Sequence, residues 1–316
     1  KAFIDISIIT EANHIVFNVK NSKPKTVIQT KNEQCIGLEN VKPLQSVVLL
    51  FKMAEGSANP LKEQQTVKWA YLYHNKWIDF DNTDKADYDD NTNGLLQTGT
   101  IRFFFPKKIN ADNTWLANGK TWLRCSIAQH TDAICKIIAI HTQVITAIFV
   151  DQANAEDFLA TPLSERTIAK TVVSETALKK IEQPYSSFGG QIKEIQPAFF
   201  KRISERLRHK DRAVTIWDYE HLILEAFPEI FKVKCLNHTS IISDPGDANR
   251  KLLNEVAPGH VLIVPVPDLK NQNAIDPIRP YTSLSTLSLI HQFLEKRISP
   301  CEAIFGCYNV APNEIF

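Results

Sequence analysis

The chain has 316 residues, enough for about two or three domains, and its 44% hydrophobic and 22% charged residues are ordinary for a globular protein. Its 36 basic and 35 acidic residues leave a formal net charge of +1, which argues against an affinity of the whole chain for nucleic acid or anionic lipid. No run approaches the roughly 18 apolar residues of a transmembrane helix.

The first 45 residues carry the alternating pattern of β-strands. Polar and apolar residues alternate in "FIDISI", "HIVFNVK" and "KTVIQTK", which predicts a strand in each. Because the chain begins at Lys1 inside this pattern without an initiator Met, we expect residues 1–45 to continue from a missing N-terminal part. We expect the C-terminal end, "APNEIF", to be cut as well.

Residues 46–150 are predicted to form a β-rich middle domain of sandwich or barrel type. Aromatic and β-branched residues dominate "SVVLLFKMA", "VKWAYLYHNKWIDF", "GTIRFFFPKK", "KTWLRCSIA" and "VITAIFVD". The segment "HNKW" at 74–77 indicates a hairpin tip. In "TDAICKIIAIHTQ", by contrast, Ala133, Ile137 and Ile140 have the spacing of a short helix. Residues 151–195, with "QPYSSFGG" at 183–190, are typical of a linker or a fixed loop between domains.

Residues 196–316 predict an α/β C-terminal domain that opens with a helical joint. Pro197 favours the first turn of a helix that runs to about His209. Its apolar stripe is Phe199, Phe200, Ile203 and Leu207. Thr215 followed by Asp218 is a capping-box pattern for a second helix, which Pro228 ends. The second helix has one apolar face, made of Tyr219, Leu222, Ile223, Ala226 and Phe227.

The remaining elements predict a ferredoxin-like unit. The segments "EIFKVKCL", "HVLIVPV" and "CEAIFGCY" have strand patterns, and a helix over about 283–297 begins at a Ser283 cap. Its buried stripe is Leu284, Leu287, Ile290 and Leu294. With "RAVT" as a short first strand, the order becomes β-α-β-β-α-β. The predicted fold class is therefore α+β and multidomain, with a β-rich, sandwich-like N-terminal and middle part.

Sequence motifs give no sign of catalysis. The nucleophile-elbow, P-loop, zincin and dinucleotide-binding patterns are missing, so we assign no catalytic or cofactor-binding residue and expect no enzyme activity. The six cysteines form no C-x-x-C pair, and we expect free thiols and no metal ligands. The acidic segment 79–94 resembles a calcium loop, but counting from Asp87 its sixth and twelfth positions are Thr92 and Thr98. A solvated turn is favoured there over an irregular cation site.

A basic stretch at 196–212 is the candidate functional site. It has six basic and two acidic residues, an excess of four positive charges. Nucleic-acid binding, a solvated face and a protein interface all remain open, but nucleic acid would require further basic residues and free aromatic rings. An interface is favoured because Arg, Trp and Tyr are common anchors. The predicted interface residues are Arg202, Arg206, Arg208, Arg212, Trp217 and Tyr219.

Three segments of this half carry a family resemblance. They are "QPYSSFGG", "RISERLRHKDRAVTIWDYEHLILEAFPEIFKVKCLNH" and "APGHVLIVPVPDLKNQNAIDP". They resemble the baseplate J-like wedge proteins of contractile injection systems, which are phage-tail-like particles. The resemblance covers about residues 46–316. Within the family, the chain most resembles the larger wedge subunit of extracellular systems such as the antifeeding prophage and virulence cassettes.

The resemblance implies a structural role without catalysis. Wedge subunits of this family form a ring, normally with six-fold symmetry, around a central spike and hub, and they couple it to the sheath. The implied partners are other wedge subunits, spike, hub and sheath proteins, with no nucleic acid and no membrane insertion. Assembly would take place in the cytoplasm, in a particle that is released or anchored at the cell envelope. The alternative is a β-sandwich module for a glycan or receptor, suggested by the aromatic-rich residues 69–80.

Overall fold

The computed structural model describes residues 14–19, 26–30, 33–80, 87–172, 180–244, 247–268, 281–298 and 303–307. These residues divide into two units. The first extends up to Ser57 and from Gln65 to Lys193, and the second comprises Ala58–Gln64 and the chain from Glu194 onwards. Strands dominate the first unit, so the sheet-rich N-terminal part of a mixed fold is confirmed. The predicted strand "FIDISI" lies outside the described residues, and the predicted domain boundaries stay predictions.

The first unit is built from β-strands, and most of them lie in segments that the sequence predicts as strands. They are β1 (His14–Val19), β2 (Thr26–Thr30), β3 (Glu33–Leu38), β4 (Ser46–Ala54), β5 (Val67–Tyr73), β6 (Lys76–Asp79), β7 (Tyr88–Asp90), β8 (Gly99–Phe104), β9 (Thr121–Ile127), β10 (Lys136–Thr142), β11 (Val144–Ile148) and β12 (Ile181–Glu182). They form antiparallel sheets of order β10-β4-β8-β7, β2-β3-β9-β5-β6 and β11-β1-β12. The strands β3, β7 and β12 were not predicted from the sequence.

Aromatic rings from the four-stranded and five-stranded sheets meet in one core. Trp69 on β5 is 2% exposed, and its ring centroid lies 5.6 Å from that of Phe51 on β4 and 5.0 Å from that of Phe103 on β8. Ring pairs of this kind add roughly 0.5–1.5 kcal/mol to the stabilisation from area burial. The two sheets therefore pack face to face, as in a β-sandwich.

The predicted hairpin at "HNKW" is confirmed. His74 and Asn75 have positive φ angles of 46° and 58°, and they connect β5 to its antiparallel neighbour β6. Positive φ at both central residues is the conformation of a type I′ turn, whose twist matches that of the flanking strands. Asn is one of the few residues that adopt this conformation at low cost.

The helix predicted in "TDAICKIIAIHTQ" is wrong. A single 3₁₀ turn covers Thr131–Ala133, and the following residues form β10. Ile137 and Ile140 pair with Met53 and Phe51 on β4. Their β-branched side chains suit a strand, and the edge of the apolar strand β4 offers the ladder hydrogen bonds that decide the structure here.

The end of the predicted linker packs within the first unit. The Gln183 side chain is fully buried, and its amide oxygen accepts a hydrogen bond from the Ile168 backbone N–H at 3.1 Å. The Gln183 carbonyl oxygen accepts another from Arg166 at 3.0 Å. The Tyr185 hydroxyl lies 2.8 Å from His141 Nε2 on β10. These contacts give residues 181–187 a defined conformation.

The second unit mixes helices with strands, and it includes two strands, Ser240–Asp244 and Asp247–Asn254, that the sequence did not predict. Its elements are α1 (Gln196–His209), α2 (Ile216–Ala226), β13 (Ile230–Asn237), β14 (Ser240–Asp244), β15 (Asp247–Asn254), β16 (His260–Pro267), α3 (Leu284–Glu295) and β17 (Ala303–Cys307). Strand β16 lies between an antiparallel β13 and a parallel β17, while β14 and β15 pair with each other. The three predicted helices correspond to α1, α2 and α3, and they are confirmed.

The core of this unit lies between α2, α3 and the β13-β16-β17 sheet. The helices contribute Tyr219, Leu222, Ile223, Leu287, Ile290 and Leu294, and the strands contribute Val233, Cys235, Val261 and Ile263. The buried stripe predicted for α3 is confirmed at all four positions. On α2 the predicted face is buried at its first three positions, Phe227 is partly buried, and Ala226 is exposed.

The predicted ferredoxin-like order is not confirmed. It requires "RAVT" to be a strand, but within the described residues this segment makes an isolated parallel bridge between Ala213 and Ile298. The cap of α2 uses the backbone of the segment instead, because the Asp218 carboxylate accepts the Val214 and Thr215 N–H groups at 3.3 Å and 2.8 Å. These donors are then not available to a sheet ladder.

The Asp218 side chain completes a capping box at the start of α2. Its backbone N–H donates to Thr215 Oγ1 at 3.3 Å, while its carboxylate accepts the two N–H groups before the helix. The Asp218 residue is 7% exposed, so water does not replace these bonds easily. We predict that Asp218→Ala lowers the free energy of unfolding of the second unit by about 1–2 kcal/mol. Urea unfolding followed by helical circular dichroism measures this change.

The matched control for this variant is Glu255→Ala, which removes an exposed carboxylate from the same unit. We expect its free energy of unfolding to stay within about 0.5 kcal/mol of that of the wild type. Equal stabilities for the Asp218→Ala and Glu255→Ala chains would show that the capping box does not hold the start of α2.

Candidate protein interface

Helix α1 turns its apolar side away from its own unit. We call Phe199, Phe200, Ile203 and Leu207 the α1 stripe. Phe199, Phe200 and Leu207 are 41%, 63% and 70% exposed, and Ile203 is half-buried. A surface helix normally buries such a stripe against its core. The sequence predicted the stripe, but it gave no sign that the stripe would face outward.

The opposite side of α1 is polar and faces α2. His209 is the one residue of α1 that is buried, and Glu205 and Arg202, one and two turns before it, are half-buried. The His209 Nδ1 atom accepts the Asp211 backbone N–H at 3.0 Å, which places the ring proton of neutral His209 on Nε2. That nitrogen lies 3.7 Å from a Glu225 carboxylate oxygen on α2, within electrostatic reach but too far for a hydrogen bond.

Two of the predicted interface residues attach α1 to α2. The Arg208 guanidinium lies 3.8 Å from the centre of the Trp217 ring. The same ring stacks on His221, with centroids 3.8 Å apart and planes 19° from parallel. A cation over an indole contributes roughly 0.5–1 kcal/mol at an exposed site. Arg208 and Trp217 therefore make contacts inside the second unit.

Arg202 also has a partner within its own unit. Its Nε and Nη2 atoms donate to the Glu194 carboxylate at 3.1 Å and 2.9 Å, and its guanidinium lies 5.4 Å from the Phe199 ring. The hydrogen bonds with Glu194 raise the pKa of Arg202, so its charge is retained at every physiological pH. This pair fixes the chain that enters α1.

The remaining three predicted interface residues differ in their exposure to solvent. Tyr219 is 2% exposed and belongs to the core of the second unit, so its side chain offers no free surface to a neighbour. Arg206 and Arg212 are exposed, and neither forms an ion pair with any part of the chain that the structure describes. Arg206 follows Ile203 by three positions on α1, and residues three apart are neighbours on a helix, so Arg206 lies next to the stripe.

Comparison with known proteins assigns the family. A family model described as "Baseplate protein PVC11-like" matches residues 14–307. The chain belongs to the PVC11-like baseplate proteins. The resemblance to baseplate proteins of contractile injection systems that the sequence showed is thereby confirmed.

A solved structure is also similar to this PVC11-like protein. It is the cryo-EM structure of the anti-feeding prophage (AFP) baseplate, 6-fold symmetrised, with 17% sequence identity and a TM-score of 0.37. The similarity covers 88% of this chain and 57% of that one, so the chain spans little more than half the length of that relative. No curated protein matches the chain.

The acidic loop of the PVC11-like protein forms a tight turn where it is described. The Asp90 carboxylate accepts the backbone N–H and the hydroxyl of Thr92, both at 2.6 Å, and the Gly94 N–H at 3.2 Å. These internal bonds hold the backbone of the turn that follows β7. Among the described residues, no group of three or more His, Cys, Asp and Glu side chains is placed to hold a metal ion.

The aromatic and cysteine side chains of the first unit lie mostly in its interior. Trp69 and Tyr71 are 2% and 8% exposed, so their rings are not available to stack on a sugar, whereas Tyr73 and Trp77 are half-buried. Cys35, Cys125 and Cys135 of this unit are free thiols, as predicted, and so is Cys235 of the second unit. Burial raises the pKa of Cys125 to about 12, which keeps it protonated and unreactive.

Within the described residues, no helix has the length and apolarity to cross a bilayer.

A pair of leucine substitutions tests the orientation of α1. We predict that Leu222→Ala, at a position 2% exposed, lowers the free energy of unfolding by about 2–5 kcal/mol. Leu207→Ala, at a position 70% exposed, should change it by less than about 0.5 kcal/mol. Urea titration of the free chain measures both. A loss of several kcal/mol in Leu207→Ala would show that the stripe is buried in the free protein.

Proposed function

We propose that this PVC11-like protein is a structural wedge subunit of a contractile injection system. Its copies would form a ring, with six-fold symmetry, around the central spike and hub and couple that centre to the sheath. The family match supports a baseplate role, and the wedge position follows from the resemblance of residues 183–277 to wedge proteins. In this proposal the protein has no enzyme activity and works by binding its neighbours.

The observation that carries the proposal is the outward orientation of the α1 stripe. Three of its four side chains are at least 41% exposed, although a contiguous apolar patch in water is unfavourable for a free protein. A subunit of a ring must cover such patches with its neighbours. The stripe therefore supplies a surface on which another baseplate protein would pack.

The predicted interface residues take different roles in this proposal. Arg206 and Arg212 are the exposed cations that would pair with a neighbour, since they have no carboxylate partner among the described residues. Arg202, Arg208 and Trp217 would act indirectly, because they hold α1 in the orientation that presents the stripe. Assembly would take place in the cytoplasm, within a particle that is released or anchored at the cell envelope.

Charge reversal at the free cations tests the proposal. We predict that Arg206→Glu combined with Arg212→Glu lowers the amount of this chain in sedimented particles at least about tenfold, because repulsion replaces pairing at the interface. The variant should keep the wild-type circular dichroism, since neither side chain has a partner in the described part of its unit. The measurement is mass spectrometry of heavy and light fractions from cells that produce the whole particle.

The matched control is Lys232→Glu combined with Lys234→Glu, which makes the same charge change at two exposed positions of β13 in the same unit. We expect this control to enter particles as the wild type does. If the arginine variant also sediments normally, or if both variants lose assembly equally, α1 is not the interface. If the wild-type chain itself stays out of the particles, the baseplate role is refuted for this chain.

A further inference from the structure

The shape of the α1 stripe and the charges next to it determine which kind of partner it can bind. We propose that the stripe binds an acidic amphipathic helix contributed by a different chain of the baseplate, and not a second copy of α1. The inference rests on the proposed wedge function, and it names the chemistry of the neighbour. It depends on the shape of the stripe and on the charges next to it.

The shape of the stripe fits a helix. Its residues extend along α1 from Phe199 to Leu207, which is about 12 Å at 1.5 Å per residue. The rings of Phe199 and Phe200 lie 5.9 Å apart and form its broad N-terminal half. Leu207 forms its narrow C-terminal half. A partner helix with apolar residues at i, i+3 or i+4, and i+7 presents a complementary row of the same length.

Three acidic groups around α1 already face a cation of their own unit, and a fourth, Glu225 on α2, lies 3.7 Å from His209 Nε2. Glu194 accepts hydrogen bonds from Arg202 at 2.9 Å, and the Glu205 carboxylate lies 4.0 Å from Lys201. The Asp211 carboxylate accepts a hydrogen bond from Arg297 at 2.8 Å, at the end of α3. None of these three carboxylates is left over to neutralise a cation that an incoming chain would bring.

The basic groups next to the stripe are in the opposite situation. Arg206, Lys210 and Arg212 are exposed, and the described residues provide no carboxylate partner for any of them. They lie in the last turn of α1 and the turn that follows, so positive charge gathers at the Leu207 end of the stripe. This end would attract Asp and Glu side chains, which Arg can bind in bidentate fashion.

A second copy of α1 does not satisfy these cations. In a parallel pair the two basic ends would lie side by side and repel each other. In an antiparallel pair each basic end would meet Lys201, Arg202 and carboxylates that are already paired. Like charges brought together at an interface suppress such a partner. A different chain with acidic residues beside an apolar row gives both complementary surfaces at once.

Zero-length cross-linking of wild-type particles tests the charge complementarity directly. A water-soluble carbodiimide joins a carboxylate to an amine only where the two are in contact, and Lys210 supplies an exposed amine at the basic end. We expect Lys210 to be joined to an Asp or Glu of a different baseplate chain. The peptide should carry more acidic than basic residues and an apolar row at helical spacing. Lys232 and Lys234, exposed on β13, should not join the same peptide.

A photo-reactive side chain tests the apolar contact. We expect p-benzoylphenylalanine in place of Phe200, which is 63% exposed, to cross-link to the same peptide in assembled particles. The matched control is the same replacement of Phe231, which is 66% exposed on β13 and should not label that peptide. A charge swap completes the test: Arg206→Glu should regain assembly when the nearest acidic residue of the peptide becomes Lys.

The outcomes separate this inference from the proposed function. If the wild-type chain is absent from particles, the wedge function fails and the inference fails with it. If the chain is present, but Lys210 stays unjoined or is joined to another copy of this chain, the inference is overturned and the wedge function stands. A cross-linked segment without an acidic excess overturns the inference as well.

Discussion

The left-handed turn after α1 decides which face of that helix is buried. Lys210 and Asp211 have φ angles of 50° and 58°, a conformation that costs a non-glycine residue about 1–2 kcal/mol. Three bonds offset this cost: Asp211 N–H to His209 Nδ1, Arg297 to the Asp211 carboxylate, and Ala213 N–H to the Arg297 carbonyl. The turn is thus tied to the end of α3, and the rotation of α1 is fixed with its stripe outward.

Helix α1 is held against α2 by polar and cation–aromatic contacts, and not by burial of its apolar stripe. Arg208 over Trp217 and His209 near Glu225 contribute little individually, because partly exposed charges are screened by water. The apolar stripe then keeps its solvent exposure in the free chain. Whatever covers the stripe would bind the folded form alone, so assembly would also stabilise the second unit by mass action.

Local sequence signals predicted most of the elements but not the arrangement of α1. The cap at Thr215 and the α3 stripe depend on residues a few positions apart, so spacing was enough to predict them. In β10, by contrast, the distant strand β4 overrode a local helical spacing. The rotation of α1 depends on the pair of Asp211 and Arg297, which are 86 positions apart, and no local pattern reports such a contact. Spacing therefore placed Tyr219 on the buried face of α2, but it could not show that the stripe next to Arg206 would face the solvent.

The basic end of the stripe has a consequence for the free subunit. An exposed apolar row on every copy would favour premature self-association, since apolar contacts do not discriminate between partners. Arg206, Lys210 and Arg212 place repelling charges beside that row on each copy. The same cations that select an acidic neighbour therefore keep free copies apart until that neighbour is present.

Salt screens both effects, because the Debye length falls from about 10 Å at 0.1 M to about 3 Å at 1 M ionic strength. Partner selection and solubility of the free chain thus depend on one set of charges and should weaken together as ionic strength rises.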